Sequence, residues 1–232
     1  PQDRSSAASD VYKRQVGKVV EIGSRVTEDV MNKVVAVPDQ VGAWQEYCNA
    51  GVDDLILLPA LVPYHQLAVS LLNPMTAWRL LHDFEYLREG DVIIQNAGNS
   101  AVGLSVVQFA KRMGVTCISL VRTEERVRDL KNFGGGEVWI DDEDVSRKVL
   151  EFTKKKGCSM ALNSVGGRSA LRLAKCVRQG GVHVTFGAMT SESVRFPTRN
   201  LIFDDVRFVG FWLDRWKSCQ SVGQLRVSLE EI

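Results

Sequence analysis

The chain has 232 residues, with 29 Lys and Arg against 28 Asp and Glu, so its formal net charge of +1 gives no electrostatic case for a nucleic-acid partner. Its 45% of hydrophobic residues suffice for one full domain and part of another, yet no apolar run approaches the ~18 residues that a membrane span needs. The five cysteines, Cys48, Cys117, Cys158, Cys176 and Cys219, are scattered without a Cys-x-x-Cys or Cys/His cluster, which speaks against a metal site and fits reduced thiols in a cytosolic or organellar-matrix compartment.

Ser5 to Gln15 reads Ser-Ser-Ala-Ala-Ser-Asp-Val-Tyr-Lys-Arg-Gln. It resembles the in-frame translation of a common transposase sequencing adapter, codon for codon. A natural polar tail is the alternative. Residues 1–15 are accordingly expected to be a leader outside the fold, with Tyr12 no candidate for chemistry. Such a leader implies a native N-terminus, with any targeting peptide, upstream of Val16.

Val16 to Leu58 is rich in β-branched residues with turn punctuation. Val16–Gly23 alternates like a strand with Lys18, Val20 and Ile22 on one face, and Val34–Val37 and Trp44–Cys48 are further strand candidates. Pro63 to Leu81 reads as helical in two parts, broken at Asn73-Pro74. From Gly90 the pattern becomes strand and helix in alternation. Strand Val92–Gln95 precedes a helix over Ala101–Met113, whose Val102, Val106, Phe109, Ala110 and Met113 recur at helical spacing, with Gly114 just past its end. Strand Thr116–Val121, helix Glu124–Phe133, strand Glu137–Ile140, helix Val145–Lys155, strand Met160–Asn163, helix Ser169–Val177 and strand Val182–Phe186 follow. The last apolar run is Val206–Leu213. Short apolar strands separated by helices predict an α/β class: a doubly wound parallel-sheet Rossmann domain, preceded by a partial β-rich piece. The expected division is 1–15 leader, 16–73 β-rich catalytic remnant, 74–216 Rossmann domain and 217–232 a truncated C-terminal segment.

In such a sheet, ligands lie outside the carboxyl ends of the strands. After the first strand comes Gly98-Asn99-Ser100-Ala101-Val102-Gly103, a G-x-S-x-x-G form of the dinucleotide fingerprint. Its turn and helix start would present N–H groups to a phosphate, although a plain strand-to-helix turn shares the pattern. After the second strand comes Arg122-Thr123-Glu124, where NAD sites carry a carboxylate for the ribose 2′-OH. An arginine there fits a 2′-phosphate and favours NADPH, with Arg126 and Arg128 as helpers. A solvated helix-end role for Arg122 and Arg126 is the alternative. Thr123 reads as the N-cap of the next helix, with Glu124 and Glu125 in its first turn. Asn163-Ser164-Val165-Gly166-Gly167 and Phe186-Gly187-Ala188-Met189 place small residues where backbone must approach a cofactor, or make ordinary tight turns.

These residues resemble the medium-chain dehydrogenase/reductase superfamily, and within it the mitochondrial trans-2-enoyl-thioester reductases. The resemblance runs from Val16 to about Trp216. It is carried by Leu72–Arg79 (Leu-Asn-Pro-Met-Thr-Ala-Trp-Arg), Asp91–Gly103, Ala161–Gly167 and Gly210-Phe211-Trp212-Leu213. It implies a GroES-like fold for the β-rich part, NADPH as cofactor and no metal. Asn73, Asn99, Ser100, Ala101 and Val102 would contact its nicotinamide and phosphate parts, and Arg122, Thr123 and Glu124 its 2′-phosphate end. Phe186, Gly187, Ala188 and Met189, with Phe211, Trp212, Leu213 and Asp214, would line the nicotinamide. The implied reaction moves hydride from NADPH to C3 of a trans-2-enoyl thioester, carried on acyl carrier protein or CoA, and a proton to C2. A mitochondrial matrix location and a homodimer are implied too, the second through edge pairing of the Val206–Leu213 strand with its two-fold mate. Val209→Pro is the substitution this pairing suggests; a strand covered by a further helix is the alternative.

Three departures stand beside the resemblance. The family's proton-donating tyrosine sits on an Asn-Tyr-Gly loop that would lie upstream of Val16, and Tyr47, Tyr64 and Tyr86 do not match it, so the catalytic residue is unassigned and the chain as given is expected not to turn over. The late cofactor lysine would lie beyond Ile232. Gly42-Ala43-Trp44 keeps only part of a Gly-Thr-Trp signature. The rival readings are an NADPH:quinone oxidoreductase of the same superfamily and a non-catalytic NADPH-binding or interaction protein.

Overall fold

The computed structural model describes residues 15–38, 41 and 45–232. The expected leader, apart from Gln15, and the Gly42-Ala43-Trp44 signature lie outside the described residues. The chain folds as two units. One holds the described residues up to Met75 together with Leu213–Ile232; the other is Thr76–Trp212.

The first unit carries a three-stranded antiparallel sheet of β1 (Val16–Lys18), β2 (Val34–Ala36) and β3 (Ile56–Leu58) in that order, with Gly17 opposite Val35 and Val35 opposite Leu57. The strand expected over Val16–Gly23 stops after three residues. Val19 instead exchanges hydrogen bonds with Lys33 and Asn32, which turns the chain out of the ladder and leaves Val20 and Ile22 exposed. Alternation alone does not hold a strand when no partner continues beside it. Gln45–Cys48 likewise forms no strand, and Tyr47 is exposed. Helix α1 is Tyr64–Ser70 and α2 is Asn73–His82, so the expected break falls where Pro74 occupies the first turn, the place a helix tolerates it.

The second unit is a six-stranded sheet, all parallel, in the order β6-β5-β4-β7-β8-β9. Its strands are β4 (Val92–Gln95), β5 (Thr116–Val121), β6 (Glu137–Ile140), β7 (Cys158–Asn163), β8 (Val177–Thr185) and β9 (Arg207–Gly210). Helices α3 (Ala101–Arg112), α4 (Glu124–Asn132), α5 (Val145–Phe152) and α6 (Gly167–Ala174) make the crossovers, and α7 (Thr198–Ile202) precedes β9. The doubly wound Rossmann fold is therefore present. Gly114 ends α3 with a φ of 69°, a conformation that costs a side chain but not glycine. Ile94, Ile118, Leu120, Ala161 and Leu173 are wholly buried in one cluster with Val145 and Val149 of α5.

Several boundaries depart from expectation: α5 ends at Phe152 rather than Lys155, and β7 begins at Cys158 rather than Met160. The helix over Ser169–Val177 ends at Ala174, and β8 begins at Val177 and runs through Gly180-Gly181. Val177 pairs with Cys158, which a turn-forming Gly-Gly pair hid. Phe133, placed by spacing on the buried face of α4, caps its end and is half exposed. The final strand stops at Gly210, and Leu213 opens helix α8 (Leu213–Ser218), followed by α9 (Val222–Glu230) with a Ser221–Gln224 capping box.

His183 in β8 is fully buried beside Phe208 and Phe196, and neither ring nitrogen has a hydrogen-bond partner among the described residues. Burial holds its pKa down from 6.5 to about 4. The unfolded chain thus takes up a proton before the folded one does. Stability should be complete above pH ~6.5 and fall as pH drops towards 4, by roughly 3 kcal/mol at pH 4. Urea midpoints of the wild type and His183→Leu across this range check it: the variant should show the smaller slope, and equal slopes would overturn the assignment.

Candidate functional site

Because the six strands are parallel, their carboxyl ends share one edge of the sheet, and the strand order reverses between β4 and β7. Asn99–Val102 follow β4, Arg122–Glu124 follow β5, Phe186–Met189 follow β8 and Phe211-Trp212 follow β9. The topology therefore brings four of the sequence-predicted segments to one edge. Asn73, Leu213 and Asp214 belong to the other unit. Asn73 opens α2, is buried, and leaves its Nδ2 without a hydrogen-bond partner among the described residues. Leu213 is buried and Asp214 half-buried at the start of α8.

The turn after β4 is built by close approach. A Cβ on Gly103 would lie 2.6 Å from the Gly98 carbonyl oxygen and 2.8 Å from that of Ala97. A Cβ on Gly98 would lie 2.6 Å from the Ser119 Cβ of β5. Ser100, which replaces the usual second glycine, is the N-cap of α3: its Oγ accepts from the Gly103 N–H at 3.1 Å. The N–H groups of Ala101 and Val102, in the first turn, have no intrahelical acceptor and are available to an anion.

Arg122 is exposed at the end of β5 and makes no hydrogen bond or ion pair with a described residue. Arg126 is held 3.3 Å from Asp129 on its own helix. Thr123 caps α4, its Oγ1 accepting from the Arg126 N–H at 3.4 Å, and Glu124 lies in the first turn. After β9, the Phe211 ring meets Phe84 edge-on at 5.7 Å, whereas Trp212 is 66% exposed.

Beneath the edge lies a polar network that sequence reasoning missed. Asn96, Asn163, Ser164 and Ser169 are all buried. Asn96 Oδ1 accepts from the Ser164 N–H at 2.8 Å, while its Nδ2 donates to Asn163 Oδ1 at 2.8 Å and Ser169 Oγ at 2.9 Å. Asn163 Oδ1 also accepts from the N–H groups of Val165 and Gly166. Since a backbone N–H can only donate, both amide orientations follow. Ser169 Oγ donates onward to Asp141 Oδ2 at 2.6 Å, and Asp141 Oδ1 accepts from Arg172 Nε at 2.7 Å. The signal available in the sequence was an asparagine at the carboxyl end of each of two predicted strands, Asn96 just after Val92–Gln95 and Asn163 closing Met160–Asn163.

Residues 101–227 match the family model for zinc-binding dehydrogenases. The chain belongs to this family. The mitochondrial enoyl-[acyl-carrier-protein] reductase of Caenorhabditis elegans is 38% identical over 216 residues, covering 90% of this chain and 61% of that protein. The mitochondrial 2-enoyl thioester reductase Etr1p/Etr2p heterodimer of Candida tropicalis superposes with a TM-score of 0.86 at 27% identity, covering 94% of this chain and 66% of that one. A complex of Etr1p with NADP and crotonyl-CoA gives 0.85 at 28% identity, with 93% and 65% covered. The chain's curated relatives above 30% identity include mitochondrial enoyl-[acyl-carrier-protein] reductases from several organisms, which this chain resembles along most of its own length. It spans about three fifths of the length of the curated relatives it matches.

The zinc of the family's description does not fit the donors among the described residues. No three His, Cys, Asp or Glu side chains converge among the described residues. Burial pushes the Cys117 and Cys176 thiols up to about 12 and raises Cys158 as well, so the buried cysteines stay protonated and poor as ligands or nucleophiles.

Proposed function

We propose that the protein is an NADPH-dependent trans-2-enoyl-thioester reductase of the mitochondrial matrix, acting on an enoyl group carried by acyl carrier protein or CoA. The observation that carries this is Arg122, a guanidinium without a partner among the described residues at the end of β5, one strand from a capped turn with available N–H groups. The buried Nδ2 of Asn73 has no acceptor among the described residues, and such a donor costs about 1–3 kcal/mol unless a ligand accepts from it. Bound NADPH supplies the hydride for C3. Asn99, Ser100, Ala101 and Val102 hold its phosphates by N–H groups and the dipole of α3. Arg122 pairs with the 2′-phosphate, with Thr123 and Glu124 fixing the helix beside it. Phe186, Gly187, Ala188 and Met189, with Phe211 and Trp212 at the same sheet edge, would lie beside the nicotinamide. The proton donor to C2 is not assigned to a residue of this chain.

Two measurements test the reading. The chain should bind NADPH, followed by quenching of tryptophan fluorescence, and bind NADH less tightly. The complete gene product should oxidise NADPH only when crotonyl-CoA or a crotonyl carrier protein is added. Oxidation with quinones and none with enoyl thioesters would instead make it a quinone reductase.

We also propose that the partner is a second copy of the chain, joined along β9. The support is that β9 is the last strand of the sheet order and carries partly exposed Phe208 and Val209. The residue suited to the test is not Val209. Phe211 N–H donates to the Thr185 carbonyl of β8, and by strand alternation Val209 N–H points the same way. The outward donors are Phe208 and Gly210. Gly210→Pro should therefore convert the dimer of the complete gene product to monomer without breaking the bonds to β8. A dimer that sediments unchanged would remove the pairing.

A further inference from the structure

The loops expected to hold the phosphates and the nicotinamide of the cofactor are tied together by one buried side chain. Asn96 follows β4 directly and begins the turn that leads to Ser100. Its Oδ1 holds the Ser164 N–H of the loop after β7, and its Nδ2 reaches Asn163 Oδ1, which gathers the Val165 and Gly166 N–H groups. The loop after β8 hangs from that loop in turn. Phe186 N–H donates to the Asn163 carbonyl at 2.9 Å, Met189 N–H to the Ser164 carbonyl at 3.0 Å and Thr190 N–H to the Val165 carbonyl at 2.9 Å. Thr190 Oγ1 adds a second bond to the Val165 carbonyl. An unbroken path of hydrogen bonds thus runs from the turn after β4 to Phe186–Thr190.

We infer that Asn96 is a positioning residue that couples these segments, so that an anion seated at the turn after β4 orders Phe186–Thr190. The inference rests on the NADPH reading above and adds to it a coupling between the two halves of the site. The physical basis is that every donor and acceptor of the Asn96 amide is engaged in a buried setting, so the turn cannot shift without moving the Ser164 N–H with it. Coupling of this kind is reciprocal: filling the second segment favours filling the first.

The probe is 2′-phospho-ADP-ribose, which has the adenine, ribose and phosphate parts of the cofactor and no nicotinamide. Hydrogen exchange is measured at the Met189 and Thr190 amides with and without it. Saturation with the probe should slow both amides in the wild type and leave them unchanged in Asn96→Ala. The ratio of the probe's Kd to that of NADPH should also fall about tenfold in Asn96→Ala, because the nicotinamide end is then no longer supported. A merely structural role would weaken both ligands alike and leave the ratio intact. If Asn96→Ala does not fold, Thr190→Val removes a later link at an exposed position and should lower the same ratio. Wild-type amides that ignore the probe, or a ratio unchanged in the variants, would overturn the coupling while leaving NADPH binding in place. A wild-type chain that binds neither ligand would remove the NADPH reading itself, and the coupling with it.

Discussion

Arg122→Asp should weaken NADPH binding by about ten- to a hundredfold and leave NADH binding within a few-fold. The magnitude follows from charged hydrogen bonds at roughly 1.5–3 kcal/mol, reduced by solvent screening at an exposed site and increased by the repulsion that a carboxylate brings to a phosphate. Every 1.4 kcal/mol is about tenfold in Kd. NADH carries a ribose hydroxyl at that position, and a carboxylate at the end of the second strand is the group that binds it in NAD sites. The contrast between the two cofactors therefore inverts or closes. Arg126→Ala is the control: Arg126 already faces Asp129, so its removal should cost NADPH less. Calorimetric titration of both cofactors into both variants settles the matter. Equal losses for NADPH and NADH in Arg122→Asp would show that Arg122 only solvates the end of β5.

Gly103→Val should lower the unfolding midpoint steeply and abolish cofactor binding together with it. The added Cβ meets two backbone carbonyl oxygens, at 2.6 Å and 2.8 Å, and backbone cannot swing aside as a long side chain can. The turn and the first turn of α3 must separate, at a cost of about 3 kcal/mol or more. For a protein of this length that is roughly 6–12 °C in Tm. The Gly103 carbonyl also accepts from Gln95 Nε2 at 3.0 Å, so the shift would strain the end of β4. Gly90→Ala is the comparison, because a Cβ there meets nothing within 4 Å and only its φ of 86° opposes it. A Gly103→Val protein as heat-stable as Gly90→Ala would show that the turn is looser than its contacts imply.

Much of this protein was legible in the order of its residues. Val92–Gln95, Thr116–Val121 and Glu137–Ile140 form strands with the bounds their mainly apolar runs predict, because short runs of this kind between helices suit a parallel sheet that helices cover. Thr123 caps its helix as expected, and Arg122 stands at the end of β5, a place fixed by the strand–helix alternation alone. Other features depend on what lies across the fold. The strand that begins at Val16 stops early because its backbone turns to Lys33 and Asn32, and β8 begins early because Cys158 is there to pair with Val177. Ser100 passes for a defect in a glycine motif until the Gly103 N–H is seen at its Oγ. Asn96 and Asn163 lie 67 residues apart, and only the parallel pairing of β4 with β7 sets their amides side by side. The sequence determines these elements through local pattern, since burial and capping act over a few residues. The network under the sheet edge was decided by tertiary structure, because a hydrogen bond between distant residues has no signature in either neighbourhood.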